Sequence, residues 1–121
     1  MLDRHDHVVR RLAGACVLGD VAAVRAALAP DAVAVCDGGG LVPAAPRPIH
    51  GADDVTELLR VLLCGRPASE LTVEAVNGRA GLALREAGRA VAVVAVKVAG
   101  IRVAYVWIVL SPEKLRGWHR R

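Results

Sequence analysis

The sequence has very few aromatic residues, and this scarcity disfavours one class of function, the binding of single-stranded nucleic acids. Phenylalanine is absent, and Tyr105, Trp107 and Trp118 are the only tyrosine and tryptophan residues among 121. Single-stranded nucleic acids are bound by stacking bases on aromatic side chains, so a platform of that kind is disfavoured. The chain is still 55% hydrophobic, mainly through Ala, Val and Leu. That fraction excludes a disordered chain, and at this length one domain over residues 1–121 is expected.

Cysteine is also scarce, and its spacing offers neither a disulfide framework nor a zinc site. Cys16, Cys36 and Cys64 are odd in number, far apart, and not arranged as C-x-x-C. Such residues are typical of small buried hydrophobic side chains in a reducing compartment. We therefore expect a cytoplasmic protein with no metal ion.

No segment has the pattern of a membrane anchor. Residues 1–7 are too charged for a signal peptide and lack its apolar region. The longest apolar stretch, residues 89–110, is rich in β-branched residues and is interrupted by Lys97 and Arg102. This pattern favours two buried strands over one spanning helix, so no membrane contact is expected.

The positive charge is confined to one end of the chain. The net charge is +4, and residues 114–121 contain four basic residues and no acid, so the remainder is close to neutral. A basic stripe of the kind that binds DNA is therefore missing, and no direct contact with nucleic acid is expected. We expect residues 114–121 to form a solvated, frayed tail.

Hydrophobic periodicity predicts helices first and strands last. Helices are expected over residues 3–17, from Val21 until Pro30, and from residue 53 or 54 until Gly65. A strand over 31–37 precedes an irregular segment, 38–49, that is rich in Gly and Pro. From Ser69 the hydrophobic period becomes two, which predicts strands. Turns are expected at Asn77-Gly78, Ala87-Gly88 and Ala99-Gly100, and the last two strands are expected over 89–98 and 101–110. This order predicts an α+β fold with an antiparallel meander.

The last expected strand is apolar on both faces. Alternation places Ile101, Val103, Tyr105, Trp107 and Val109 on one side and the intervening residues on the other. A strand with two apolar faces is covered on both sides. One face packs on the helices or lines a cavity, and a partner subunit is the simplest cover for the other. We therefore expect a homodimer formed through the sheet.

Three short strings carry a resemblance to a known family: residues 37–40 (DGGG), 76–82 (VNGRAGL) and 111–115 (SPEKL). In this order they resemble the SnoaL-like domains of the nuclear transport factor 2-like superfamily, and most nearly the C-terminal accessory domain of SigJ-type extracytoplasmic-function sigma factors. The resemblance implies three N-terminal helices packed in a strongly curved antiparallel sheet around a cone-shaped pocket. It also implies modulation of a sigma factor through the glycine loop and the terminal segment. The family usually has Lys where Leu41 stands and Asn where Ser111 stands. The helical regions that bind polymerase and promoter are absent, so a free-standing relative or a fragment is expected.

Few residues remain as candidates for chemistry. Enzymes of this superfamily place acids and bases inside the cone, but between Glu86 and Glu113 there is no Asp, Glu, His, Thr or Cys. Asp37, at the end of the first strand, is a candidate pocket-mouth carboxylate or a turn residue. His50 is a candidate base that enters from a loop, or an ordinary surface histidine. Tyr105 and Trp107 are candidates to line a cavity, with core or dimer-interface packing as the alternative.

These observations predict a non-catalytic SnoaL-like domain without a cofactor. It would bind a small hydrophobic ligand in an apolar pocket or act as a regulatory interaction module. The alternative is a small cyclase, isomerase or hydrolase that acts on an apolar polyketide-like or terpenoid-like substrate with Asp37 and His50 as its acid–base pair. A purely structural dimer is a third hypothesis.

Overall fold

The computed structural model describes residues 3–38 and 47–119. Its helices are α1 (Arg4–Leu18), α2 (Val21–Ala27), α3 (Ala52–Leu63) and α4 (Pro112–Leu115), the last followed by a 3-10 turn over Arg116–Trp118. Its strands are β1 (Leu28–Asp37), β2 (Ile49–His50), β3 (Ser69–Val76), β4 (Arg79–Glu86), β5 (Arg89–Ala99) and β6 (Arg102–Val109). Within these residues no helix is long and apolar enough to cross a membrane. Most of the irregular segment expected at 38–49, including the end of the glycine run, lies outside the described residues.

Helix α1 has clear signals at both ends, which explains why its bounds match the expectation closely. The Asp3 side chain accepts a hydrogen bond from the Asp6 backbone amide, and the Asp6 side chain accepts one from the Asp3 backbone amide. These bonds satisfy two amides that a helix start otherwise leaves unpaired. The helix stops at Gly19, whose φ of 67° lies in the left-handed region that glycine adopts without a steric penalty.

The strands form one curved sheet in the order β2-β1-β6-β5-β4-β3. The expected α+β class is confirmed, and β3 to β6 form the expected antiparallel meander. One neighbouring pair is parallel: β1 lies beside β6, with Asp37 opposite Val109. The sheet is therefore mixed, a feature that the sequence pattern did not predict because periodicity describes each strand but not its distant partner.

Two tight turns hold the meander in register. Asn77 and Gly78 have φ values of 52° and 81°, as the expected hairpin requires. Ala87, at 51°, adopts the same left-handed conformation before Gly88. For alanine this conformation costs about 1 kcal/mol, so the strands on either side hold the turn in place.

The helices pack on one face of the sheet through a continuous aliphatic core. Its largest members are no more than 1% exposed: Leu12, Val24, Val55, Leu59, Leu82, Leu84, Val94, Val106 and Ile108. Side chains from three helices and four strands thus meet inside the curve of the sheet. Within the described residues, most of the large side chains buried inside this curve are Val and Leu.

An irregularity in β6 changes which residues share a face. Lys97 pairs with Tyr105 but Val98 pairs with Val103, so Ala104 is an extra residue without a partner on β5. Simple alternation placed Val103 on the face of Tyr105 and Trp107, and this was wrong. The extra residue rotates Val103 into the core, where it is fully buried beside Val106.

The C-terminal segment, residues 112–119, packs against the outer face of the sheet. Leu115 is 2% exposed and joins a second apolar cluster with Val76, Ala83, Ala90 and Val93. The expected frayed tail was therefore wrong for residues 114–119. The chain itself supplies part of the second cover that the sequence assigned to a partner subunit.

Candidate functional site

A cleft of about 290 Å³ lies on the outer face of the sheet beside the C-terminal segment. We call it the outer cleft. Its walls come from Asp37, Val76, Asn77, Val93, Ala95, Trp107, Val109, Lys114 and Trp118. Most of these side chains are apolar, and a few polar groups stand among them, which is the usual composition of a binding site.

An ion pair joins the two sides of the outer cleft. Lys114 Nζ lies 2.5 Å from Asp37 Oδ2, although 77 positions separate the residues in the sequence. The strand end is fixed by a further bond, since the Leu110 amide donates to the Asp37 carbonyl at 2.8 Å. The Asp37 side chain is 14% exposed and that of Lys114 is 58% exposed. Asp37, the first residue of the glycine string, thus meets Lys114 of the terminal string at one surface.

Both tryptophans of the protein line the outer cleft. Trp107 projects from β6 and is 38% exposed, whereas Trp118 is partly buried against the second apolar cluster. Trp107 lies opposite Val35 on β1 and Ala95 on β5, so its ring stands over small aliphatic neighbours. Tyr105 is partly buried two residues earlier on the same strand, opposite Lys97, and is not among the lining residues.

A buried arginine fixes the C-terminal segment beside the outer cleft. Arg85 is 4% exposed, and its Nε donates to the Trp118 carbonyl oxygen at 2.7 Å. The same guanidinium pairs with Glu74 at 2.5 Å, and the hydrogen bond from Arg85 to that carboxylate raises the pKa of the arginine. The His119 ring also accepts the Ala90 amide proton, at 2.8 Å. Sequence reasoning missed Arg85, and its one signal was its position directly after the apolar run 80–84.

Replacing Arg85 by methionine is expected to lower the free energy of unfolding by about 2 kcal/mol. The change leaves the Glu74 carboxylate partly buried without its arginine and removes the donor to the Trp118 carbonyl oxygen. Trypsin should also cut after Lys114 and Arg116 at least about tenfold faster, because the segment loses its anchor.

Arg60→Met is the matched control, since Arg60 forms an exposed ion pair with Glu57. It should change the stability by less than about 0.5 kcal/mol and leave the cleavage rate unchanged. Urea unfolding and timed digestion measure both effects. Equal cleavage rates in the two variants would contradict the anchoring role of Arg85.

The structure separates the two residues of the hypothetical acid–base pair. His50 is exposed, lies opposite Val33 on β1, and lines a shallow cleft with Asp53 and Asp54 at the start of α3. Asp37 lies four residues further along β1, which corresponds to about 13 Å of strand. Asp37 and Trp107 therefore share a cleft, while His50 and Tyr105 lie outside it.

The cone interior offers little polar chemistry within the described part of the chain. The buried polar residues of the described chain are His5, Thr56, Arg85 and Ser111, and of these Arg85 contacts the C-terminal segment at the outer face. His5 Nε2 lies 2.7 Å from the Ala80 carbonyl oxygen, a bond that holds α1 to β4. Among residues 3–38 and 47–119, no three His, Cys, Asp or Glu side chains form a group that could hold a metal ion.

Comparison with known proteins gives matches of structure alone. Neither a protein-family model nor a curated protein sequence matches the chain. The extracytoplasmic function sigma factor SigJ of Mycobacterium tuberculosis matches with a TM-score of 0.69 and 28% identity over 96% of this chain. The matched part is 45% of that sigma factor, so this chain spans less than half of its length.

Two further structures extend the likeness. An NTF2-like protein of unknown function from Mesorhizobium loti matches with a TM-score of 0.64 and 20% identity, over 92% of this chain and 96% of its own. An LEH-like epoxide hydrolase of M. tuberculosis matches with a TM-score of 0.58 and 19% identity, over 96% of this chain and 89% of its own. These two show the fold alone. Together with the sigma-factor match, they show that the chain has the nuclear transport factor 2-like fold.

Proposed function

We propose that this chain is a non-catalytic domain that acts as a regulatory interaction module and binds an apolar side chain of a partner polypeptide in the outer cleft. One observation carries the proposal: the largest side chains enclosed by the sheet are fully buried, while the outer cleft is open to solvent and lined mainly by apolar residues. Leu59, Leu84 and Ile108 meet inside the cone and are at most 1% exposed. A ligand there would have to displace a close-packed core, which is energetically costly.

The size of the outer cleft favours a side chain over a whole small molecule. Its volume of about 290 Å³ lies at the lower limit for ligand pockets, roughly 300–1,000 Å³. The sequence also suggested that the domain binds a small hydrophobic ligand. Such a ligand would have to fit this limited space. One leucine or aromatic side chain, by contrast, would fill the apolar floor between Trp107 and Trp118.

The rim of the outer cleft supports a protein partner. Asp37 and Lys114 place charges of both signs beside an exposed tryptophan. Protein interfaces typically combine such a polar rim with an aromatic anchor. The likeness to SigJ, in which the matched region is part of a longer polypeptide, supports a role in regulating a neighbouring sigma-factor-like segment. The free thiols of Cys16, Cys36 and Cys64 support a cytoplasmic location for this module.

The enzyme alternative has less support. It required Asp37 and His50 to act together, and about 13 Å of strand separates them. An oriented imidazole base needs a carboxylate within hydrogen-bond reach. The sequence hypothesis of an acid–base pair therefore lacks the geometry on which it depended.

A homodimer through the sheet would use the same outer face. Trp107, 38% exposed, would lie at its centre. Because the C-terminal segment already covers part of this face, a second copy would find less apolar area than the sequence suggested. Sedimentation equilibrium at micromolar concentration tests the dimer, and a monomer would leave the outer cleft available to another polypeptide.

The two tryptophans provide a direct test of the outer cleft, because every indole of the protein lies there. We expect a panel of short peptides with a central leucine or phenylalanine and flanking charges to contain sequences that change the intrinsic fluorescence on titration. Trp107→Ala should weaken binding of such a peptide at least about tenfold, as expected for an aromatic anchor.

Ile101→Ala is the control, since Ile101 is 62% exposed but directly precedes β6, at the end of the strand away from Trp107. It should leave the affinity unchanged. Amide chemical shifts of the labelled protein show where the peptide binds. Shifts concentrated at Leu84 and Ile108, inside the cone, would contradict the proposal, as would equal losses of affinity in both variants.

A further inference from the structure

Two cysteines lie side by side where the C-terminal ends of α1 and α3 meet. Cys16 is in the last turn of α1, and Cys64 directly follows α3. The Gly65 amide donates to the Cys16 carbonyl oxygen at 3.1 Å, and the two thiols lie close enough to affect each other's pKa. The sequence hypothesis treated them as unrelated buried residues, because their wide spacing gave no sign that the helix ends meet.

The two thiols have different environments. Cys16 is fully buried, and its pKa is raised by the hydrogen bond to Cys64 and then by burial. Cys64 is partly exposed, and the Cys16 hydrogen bond, aided by the positive charge of Arg60, lowers its pKa. Burial raises the pKa of the third cysteine, Cys36. An accessible thiol that favours the thiolate, next to a second thiol, is the arrangement found at oxidation-sensitive sites.

We propose that Cys64 and Cys16 are an oxidation site that forms a reversible intramolecular disulfide with a peroxide. In the first step the Cys64 thiolate attacks one peroxide oxygen. An S–O bond forms, the O–O bond breaks, and the departing hydroxide takes a proton to become water. Cys64 is then a sulfenic acid.

The second step uses the neighbouring thiol. Cys16 sulfur attacks the Cys64 sulfur, the S–S bond forms, and the S–O bond breaks. The hydroxyl group leaves with the Cys16 proton as a second water molecule. Over both steps the two thiols lose two electrons and hydrogen peroxide gains them, which is the balance of a thiol–disulfide couple.

The cross-link would tie α1 to α3 without a large movement, because both helix ends already touch. A Cβ added at Gly19, which ends α1, would lie 3.8 Å from the Gly65 Cα. The disulfide encloses the long segment from α2 to α3, so it restricts the unfolded chain strongly. We expect the melting temperature of the oxidised protein to be about 10 °C higher than that of the reduced protein.

Mass spectrometry of the full chain tests the proposal without relying on any variant. After brief treatment with hydrogen peroxide, the monomer should lose two hydrogens, a peptide cross-linked through Cys16 and Cys64 should appear, and dithiothreitol should reverse both changes. In the untreated protein, iodoacetamide should label Cys64 at least about tenfold faster than Cys36. Cys36→Ser should behave like the wild type, whereas Cys64→Ser should not form the cross-link.

Several outcomes would overturn the proposal. They are a disulfide that includes Cys36, a disulfide between two chains, a Cys64 sulfinic acid without a cross-link, or three thiols that survive the treatment. The oxidation site lies at the helix ends and is independent of the outer cleft, so neither proposal depends on the other.

Discussion

Replacing Leu59 by alanine is expected to lower the free energy of unfolding by about 4 kcal/mol. Leu59 is fully buried on α3, at the centre of the core enclosed by the sheet. The substitution loses the transfer free energy of the side chain and leaves a cavity that close-packed neighbours refill only in part. Urea unfolding of the two proteins measures the difference.

The same variant tests whether the cone is filled. Removing Leu59 opens an apolar void, and such voids stay dry and accept a small molecule such as benzene. Benzene should therefore raise the melting temperature of Leu59→Ala and leave that of the wild type unchanged. Leu18→Ala is the control, because Leu18 is also helical but 82% exposed. This substitution should lower the free energy of unfolding by less than about 0.5 kcal/mol. A wild-type protein that binds benzene inside the cone would contradict a filled interior.

Replacing Gly81 by alanine is expected to destabilise the protein by about 3 kcal/mol, although only one methyl group is added. An ideal Cβ at Gly81 would clash with the Val94 carbonyl oxygen and would lie 2.7 Å from Val76 Cγ2. The first of these contacts is with backbone in the middle of β5, so relief requires β4 and β5 to move apart. The loss of stability is measured by thermal and urea unfolding.

Two further variants test whether a backbone clash or side-chain crowding causes the destabilisation by Gly81→Ala. Gly14→Ala adds the same methyl group to α1, where no atom lies within 4 Å, and should stabilise the protein by up to about 1 kcal/mol. Adding Val76→Ala to Gly81→Ala should not restore stability, because the clash with the Val94 carbonyl oxygen remains. Full rescue by the second substitution would show that side-chain crowding, and not the close approach of two backbones, requires glycine here.

Local signals in the sequence were sufficient for most of the fold. Asp3, Gly19 and the Asn77-Gly78 turn act on neighbouring residues, so the bounds of α1 and of the first hairpin could be predicted closely. The second helix was expected to continue until Pro30, but α2 ends at Ala27 and β1 begins at Leu28. The pairing of β1 with β6 could not, because no local pattern identifies a partner strand at the far end of the chain. The extra residue at Ala104 was also hidden, because a bulge breaks the alternation on which strand faces are assigned.

The same contrast between local signals and contacts of distant residues holds for the candidate site. Asp37 and Trp107 both line the outer cleft, and the sequence had singled them out because one ends a strand and the other is an aromatic residue in an apolar strand. The cleft itself depends on the docked C-terminal segment, which the basic composition of residues 114–121 concealed. Arg85 and the Cys16–Cys64 contact were missed because each depends on groups that meet only in the folded chain.

The parallel pairing of β1 with β6 also determines the order in which the chain can fold. β3 to β6 are joined by tight turns and can pair as soon as each is made, but β1 must wait for β6, about seventy residues later. Until then Ala34 and Cys36 leave an apolar strand without its main partner, a state that favours pairing with other chains. Closing the sheet at β1 is therefore the late step of folding, and the time before it is when the chain is most exposed to aggregation.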